Sequence, residues 1–207
     1  MTANAICVTQ PTVEPISLAE AKLHLRIDDD ASPSTNADDA LITIFIAAAR
    51  RYAEHFMNKA YAEQTWDLYL DAFPAEDYIP IPKPPLRYLV SLTYKDSAGT
   101  DQVVSFLDPS GTALLDTDDY IVDISCQPGR LYLKYGGQWP ATLAEAQAVV
   151  IRFVCGYADV ADIPAEVKAA ILLKLSDLYE NRGDMPTGDR FEAAMKALLW
   201  PERIIPV

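Results

Sequence analysis

The chain is short of the residues on which most enzymes and nucleic-acid-binding proteins depend. Its 207 residues include two histidines, three cysteines and eight glycines, and 17 lysines and arginines stand against 30 acids. Each shortage excludes something. His24 and His55 fall outside H-x-x-x-H and H-E-x-x-H spacing, so a zinc centre has almost no ligands to draw on, and both read as solvent-facing or structural. Cys7, Cys126 and Cys155 lie far apart with no C-x-x-C pair, the pattern of free thiols in a reducing compartment. None sits in a known nucleophile signature, and there is no G-x-S-x-G elbow. Gly136-Gly137 runs into Gln138-Trp139-Pro140 and opens no helix, so no phosphate loop is supported. No residue is nominated as catalytic, cofactor-binding or metal-ligating.

The scarcity of bases excludes a further class. A protein that grips a nucleic-acid backbone neutralises phosphates with Lys and Arg, and a chain of net charge −13 cannot do so over any broad face. An acidic wall does let DNA slide past without sticking. The charge divides as −3 over residues 1–60, −8 over 61–160 and −2 over 161–207. Long apolar runs are also missing. The richest, Ala40 to Ala49, is interrupted by Thr43 and followed by Arg50-Arg51, too short to span a bilayer. The opening MTANAICVTQPTVEP has neither the basic region nor the continuous apolar stretch of a signal peptide. A soluble protein, intracellular when made, is expected.

What is present is an ordinary globular balance, 50% apolar or aromatic and 23% charged. ISLAEAKLHLRI carries an S-x-x-E capping box at Ser17 and Glu20, which predicts a helix from Leu18 to about Ile27. Asp28-Asp29-Asp30 opposes the helix dipole and ends it. The stretch DDDASPSTNADD lacks the alternation and central glycine of a calcium loop and reads as a solvated acidic loop. Asn36 is placed to cap a second helix. Leu41, Ile42, Phe45, Ile46, Ala49, Tyr52, Ala53, Phe56 and Met57 give it a stripe sustained for about five turns. Arg50 and Glu54, four apart, are placed on its wetter side as a weak pair.

From Gln64 the period becomes two. TWDLYLDAF predicts a half-buried strand. The proline-rich IPIPKPPL suits a sheet edge, not a central strand. Leu89–Lys95 and Gln102–Phe106 form a hairpin around Asp96-Ser-Ala-Gly-Thr100. Tyr120–Asp123, Arg130–Lys134 and the apolar run Ala148 to Tyr157 are further strands. The acidic cluster Asp116, Asp118, Asp119 and Asp123 reads as a solvated edge that discourages strand addition. Tyr61, Trp66, Tyr69, Tyr78, Tyr88 and Tyr94 have few bases among them and read as sheet packing or subunit contact, not as a base-stacking platform. Helical spacing returns at Ile163, where Pro164 suits a first turn; it runs through Val167, Ala170, Ile171, Lys174, Leu175, Leu178 and Tyr179 and is ended by Asn181-Arg-Gly183, with Gly183 free to take positive φ. Asp189 and Glu192 form a second capping-box pattern ahead of a final helix that Pro201 closes.

Strands grouped between helices indicate an α+β fold, not a parallel βαβ sheet. The expected organisation is a helical core from residues 15–60 and 162–200, a β-rich insertion at 61–161 and a tail at 201–207. The tail is expected to order only on a partner.

The ordered set of pieces resembles one protein family. These are ISLAEAKLHLRI, the helix from Asp38 to Arg50, QTWDLYLDAFP, IPIPKPPL before Val90–Asp96, the strand end at Gly156-Tyr157, and IPAEVKAAILLKLSDLYENRGD. They resemble the head–tail connector (adaptor) proteins of long-tailed phages and gene-transfer agents, in their larger form with a β-rich insertion. The resemblance runs from about Pro15 to Asp184, and the long acidic loop Asp108–Asp119 departs from it.

It implies a dodecameric ring under the portal protein that extends the DNA channel and offers a platform to the next neck or tail component. It implies a virion location after assembly in the host cytoplasm, and no catalytic residues. On that reading Trp200, Pro201, Ile204, Ile205 and Val207 contact the portal. Phe45, Tyr52, Phe56 and Tyr179 contact the neighbouring subunit, because the long helix has apolar residues to spare. Asp116, Asp118 and Asp119 line the lumen, where DNA passes unbound. The rival readings are another neck protein, such as a stopper or tail terminator, a small metal-dependent hydrolase, and a monomeric host-binding module.

Overall fold

The structure, a computed structural model, describes residues 4–27, 38–182 and 189–204; the side chains of residues 189–191 and 202 are outside that description. The fold is α+β and divides into two compact units. One comprises Met1–Thr12 and Ala62–Ala158, the other Val13–Tyr61 and Asp159–Val207. No helix among the described residues is long and apolar enough to cross a membrane.

The helical unit contains α1 (Leu18–Leu25), α2 (Asp39–Met57), α3 (Ala165–Glu180) and α4 (Asp189–Leu199). The capping box forms as its sequence requires. The Ser17 hydroxyl accepts from the Glu20 N–H at 3.2 Å while the Glu20 carboxylate accepts from the Ser17 N–H at 2.8 Å. These bonds hold Glu20 below the usual carboxylate range. The stripe of α2 buries Ile42, Ile46, Ala49, Ala53 and Met57, and α3 buries Val167, Ala170, Ile171 and Leu175. Helix α2 packs on α3, and α3 on α4. Asn58 ends α2 in the left-handed region at φ 55°. Asn36, Asp28–Asp30, Gly183 and the Asp189 half of the second capping box lie outside the described residues. Asp38 occupies the N-cap of α2 but makes no side-chain cap bond, and α3 ends at its C-cap Asn181, the first residue of the expected stop.

One sequence expectation is overturned here. Arg50 and Glu54 are not on a wet face: they are 2% and 8% exposed. Arg50 donates to Glu14 at 2.7 Å and to Glu54 at 2.6 Å, and Glu54 also accepts the backbone N–H of Tyr61 at 2.9 Å. The pair is covered by the segments entering α1 and leaving α2, whose positions no helical periodicity encodes.

The β-rich unit contains two antiparallel sheets. The larger has the order β1 (Asn4–Thr9), β2 (Gln64–Leu70), β8 (Val149–Cys155), β4 (Leu86–Lys95), β5 (Asp101–Ser105). The smaller has the order β3 (Tyr78–Ile81), β7 (Gly129–Leu133), β6 (Tyr120–Asp123). Strand β8 is central, which accounts for its nearly continuous apolar run; Ile151 lies opposite Leu68 on one side and Leu92 on the other. Asp67 faces Arg152 across the β2–β8 ladder, and two 2.8 Å bonds join them in a fork. Pro80 sits exposed on edge strand β3, where its missing N–H costs no ladder bond. Strand β1 was not expected from the sequence.

Many of the unit's acids have a structural task. Asp96 accepts from the N–H groups of Ala98 and Thr100, Asp108 from those of Ser110 and Thr112, and Asp123 from that of Ser125. Each carboxyl is held below its ordinary range, Asp96 chiefly by the Thr100 N–H, Asp108 chiefly by the Ser110 hydroxyl and Asp123 chiefly by the Ser125 hydroxyl. The same Asx turn thus closes three loops, including the loop from Asp108. Gly156 takes φ +98° where β8 passes Ala62, and a Cβ there would overlap the Ala62 carbonyl.

Candidate assembly surfaces

The residues nominated for neighbours fall into three groups, and the structure treats each differently. Tyr52, Phe56 and Tyr179 are half-buried and already carry partners within the helical unit. Lys174 lies 5.0 Å from the Tyr52 ring centroid, and the Tyr52 hydroxyl donates to Glu192 at 3.1 Å. Phe56 lies between Lys196 and Arg203, at 5.9 and 4.5 Å. Tyr179 donates to Asp38 at 2.9 Å, with Arg182 stacked 4.1 Å over its ring. Burial and the Glu192 carboxylate push the Tyr52 phenol up, and the hydrogen bond to Asp38 pushes up that of Tyr179. These aromatics are thus cation–π anchors between α2, α3 and α4. Phe45 is half-buried on α2.

The C-terminal group splits. Trp200 is 60% exposed and Pro201 is exposed, in a short 3-10 turn spanning Trp200–Glu202. Beyond it the chain is tied down: the Ile204 N–H donates to the Met57 carbonyl at 3.1 Å, and the Asn58 side chain donates to the Ile204 carbonyl at 2.9 Å. Ile205 and Val207 lie outside the described residues.

Asp116, Asp118 and Asp119 are exposed in the β-rich unit. Asp116 pairs with Lys134 at 2.6 Å. Asp118 and Asp119 form the tip of a turn closed by Thr117 and Tyr120, whose backbones bond at 2.9 Å. They border a cavity of about 370 Å³ with Tyr94, Tyr120 and Tyr135. Burial, Tyr94 and Asp119 together push the Tyr120 phenol up to about 12. Among the described residues no group of three or more His, Cys, Asp or Glu could hold a metal ion. His24 and His55 are exposed, on α1 and α2.

Sequence reasoning missed the exposed apolar residues of single elements. Leu23 on α1 is 81% exposed, Ile44 on α2 62%, and Val103 on β5 66%. Ile44 was legible: it lies off the stripe that the other apolar residues of α2 define.

Comparison with known proteins bears on the whole set. Residues 15–98 match the family model of phage gp6-like head-tail connector proteins. That segment holds α1, α2, β2, β3 and β4 and includes the pieces on which the sequence resemblance to connectors rests in this half of the chain. No curated protein matches the sequence. Among solved structures, the neck of an empty gene transfer agent particle has a chain that superposes with a TM-score of 0.76 at 22% identity, covering 100% of this chain and 97% of that one. A chain in the virion of a native gene transfer agent particle gives 0.74 at 22% identity with the same coverage. A chain in the neck of the native particle, computed with C12 symmetry, gives 0.71 at 21% identity. At these identities the likeness is one of fold, and it extends over both units.

Proposed function

We propose that this chain is a structural head–tail connector subunit of a tailed phage or phage-like particle. It forms a ring of twelve copies at the neck, under the portal protein, and offers the next neck or tail component its attachment platform. It is a virion component and performs no chemistry of its own. One observation carries this reading: a connector-family sequence pattern occupies residues 15–98, inside a fold that matches neck chains of a gene transfer agent from end to end. The acidic excess of the β-rich unit supports a channel past which DNA slides without binding. Exposed Trp200 and Pro201 support a docking role for the end of α4, with the portal as partner. The helical unit distinguishes this reading from a stopper or tail terminator, which are expected to be compact β-barrels.

The test is removal of the gene from a producing strain. Heads without tails and without retained DNA are expected; tailed, filled particles in normal yield would overturn the proposal. His24→Ala with His55→Ala separates the hydrolase reading, because particle yield should be unchanged if neither side chain takes part in chemistry.

A further inference from the structure

Among the described residues Arg51, Asp118 and Asp119 stand without a charged partner, and we propose that they meet between copies of the chain: Arg51 of one copy enters the cavity bordered by Asp118 and Asp119 of the next. This rests on the ring reading and names a contact within it. It also assigns Asp118 and Asp119 to protein contact in place of bare lumen wall.

The receiving side is built for one basic side chain. The turn at Thr117–Tyr120 is fixed by the Thr117 N–H to Tyr120 carbonyl bond and by the Lys134 N–H donating to the Asp119 carbonyl, both 2.9 Å. The backbone under the two carboxylates is thus held while the carboxylates themselves stay exposed, with no hydrogen-bond or ion-pair partner among the described residues. Lys134, the one cation bordering the cavity, is committed to Asp116. Tyr94 and Tyr120 supply aromatic wall, and Tyr135 at the rim is fully exposed. Two free carboxylates beside tyrosine rings favour a planar guanidinium, which takes forked bonds from carboxylates and stacks on aromatic faces. The same carboxylates repel a phosphate backbone.

The giving side follows by elimination among the described arginines. Arg50 binds Glu14 and Glu54, Arg87 binds Glu63, Arg152 binds Asp67 and Arg182 binds Asp38. Arg130 is bonded to Tyr132 and Arg203 stacks on Phe56. Arg26 and Arg51 remain, both exposed. Arg26 adjoins Asp28-Asp29-Asp30 in the chain and has carboxylates close by in sequence. Arg51 has no such supply, since Glu54, its neighbour at i+3, is already taken up by Arg50 and the Tyr61 N–H. Arg51 also shares its face of α2 with exposed Ile44, Ala48 and His55. A cation beside exposed apolar surface, on one unit, and an acidic aromatic cavity, on the other, are two unlike patches. Head-to-tail ring closure requires unlike patches.

Charge reversal in particles tests this. A producing strain carries the gene as wild type, as Arg51→Asp, as Asp118→Arg with Asp119→Arg, or with all three changes. Copies of the chain per purified particle are then counted by quantitative mass spectrometry. Absence of the wild-type chain from particles would overturn the neck reading itself. With the wild type present, each reversal should lower incorporation about tenfold or more, and the triple change should recover it to within about threefold of wild type. Incorporation of Arg51→Asp at the wild-type level, or a triple variant no better than its parents, would overturn the pairing alone. Neutral variants, Arg51→Ala and Asp118→Asn with Asp119→Asn, guard against misfolding. Their melting temperatures should equal that of the wild type, and their incorporation should fall by a smaller factor than that of the reversals.

Discussion

Replacing Arg50 with Met should unfold the helical unit at a far lower temperature, and the size of the loss can be worked out. The guanidinium is 2% exposed and bonded to Glu14 and Glu54 at 2.7 and 2.6 Å. Burial alone would lower its pKa, but Glu54 and Glu14 more than offset that and raise it, so the group is charged at every working pH. Met keeps most of the apolar stem and removes the charge. Glu14, whose side chain is 25% exposed, can return to water at small cost. Glu54 cannot: its carboxylate stays buried, keeps its bond from the Tyr61 N–H and loses the guanidinium beside it. Stripping one partner from a buried ion pair costs about 3–5 kcal/mol, and the remaining Tyr61 bond places this case near the lower end. For a unit of about 100 residues, about 3 kcal/mol corresponds to a fall of roughly 12–24 °C. Differential scanning calorimetry of the purified chain reads it directly. Adding Glu54→Gln removes the stranded charge but keeps an acceptor for Tyr61, so the double variant should melt higher than Arg50→Met alone. A single-variant shift under about 4 °C, or a double variant that melts lower still, would refute the reasoning.

Four further outcomes follow from local geometry. Ser17→Ala deletes the capping box of α1 and should cost about 1 kcal/mol, read by chemical denaturation. Glu20 is held below its ordinary 4.5 by the Ser17 N–H and hydroxyl, so its contribution is present above that value and lost as pH falls through the lower folded one; Glu20→Gln should flatten the stability profile below pH 4.5 and leave its neutral limb parallel to wild type. Gly156→Ala forces a Cβ into the Ala62 carbonyl at φ +98° and should cost at least about 3 kcal/mol, or prevent folding of the β-rich unit, read as loss of its melting transition. Asn58→Ala removes the bond to the Ile204 carbonyl and places Ala at φ 55°, so hydrogen exchange at Ile204 should quicken and the melting temperature should fall by at least about 4–8 °C, because one such bond is worth about 1 kcal/mol.

What could be read from the sequence was whatever is encoded within a few consecutive residues. The Ser17–Glu20 box, the stripe of α2 and the apolar run of β8 are local patterns, and each formed where its residues placed it. Strand β1 escaped because it is a short edge strand, half-buried on one face, and its six residues NAICVT show neither a long run nor clean alternation. Arg50 escaped for a different reason. Its acceptor Glu14 is 36 positions away and the chain that covers it carries no periodicity, so a wet i, i+4 pair and a buried ion cluster have the same spelling.

The assembly residues show the same limit more sharply. A helix with apolar residues to spare suggests a neighbour, yet the surplus on α2 is largely consumed inside its own unit. The cations that cover Tyr52 and Phe56, namely Lys174, Lys196 and Arg203, arrive from more than a hundred positions downstream. Among the described residues, folding leaves Ile44 and Arg51 on α2, Trp200 past α4, and Asp118 and Asp119 exposed. Free charges of both signs on one subunit, one sign in each unit, are a cost to a monomer only in lost opportunity, since water solvates each. In a closed ring every copy offers both, so each pair is formed once per interface and the gain is multiplied by the number of subunits. That multiplication is why a contact too weak to hold two copies together in solution can still decide whether a ring closes.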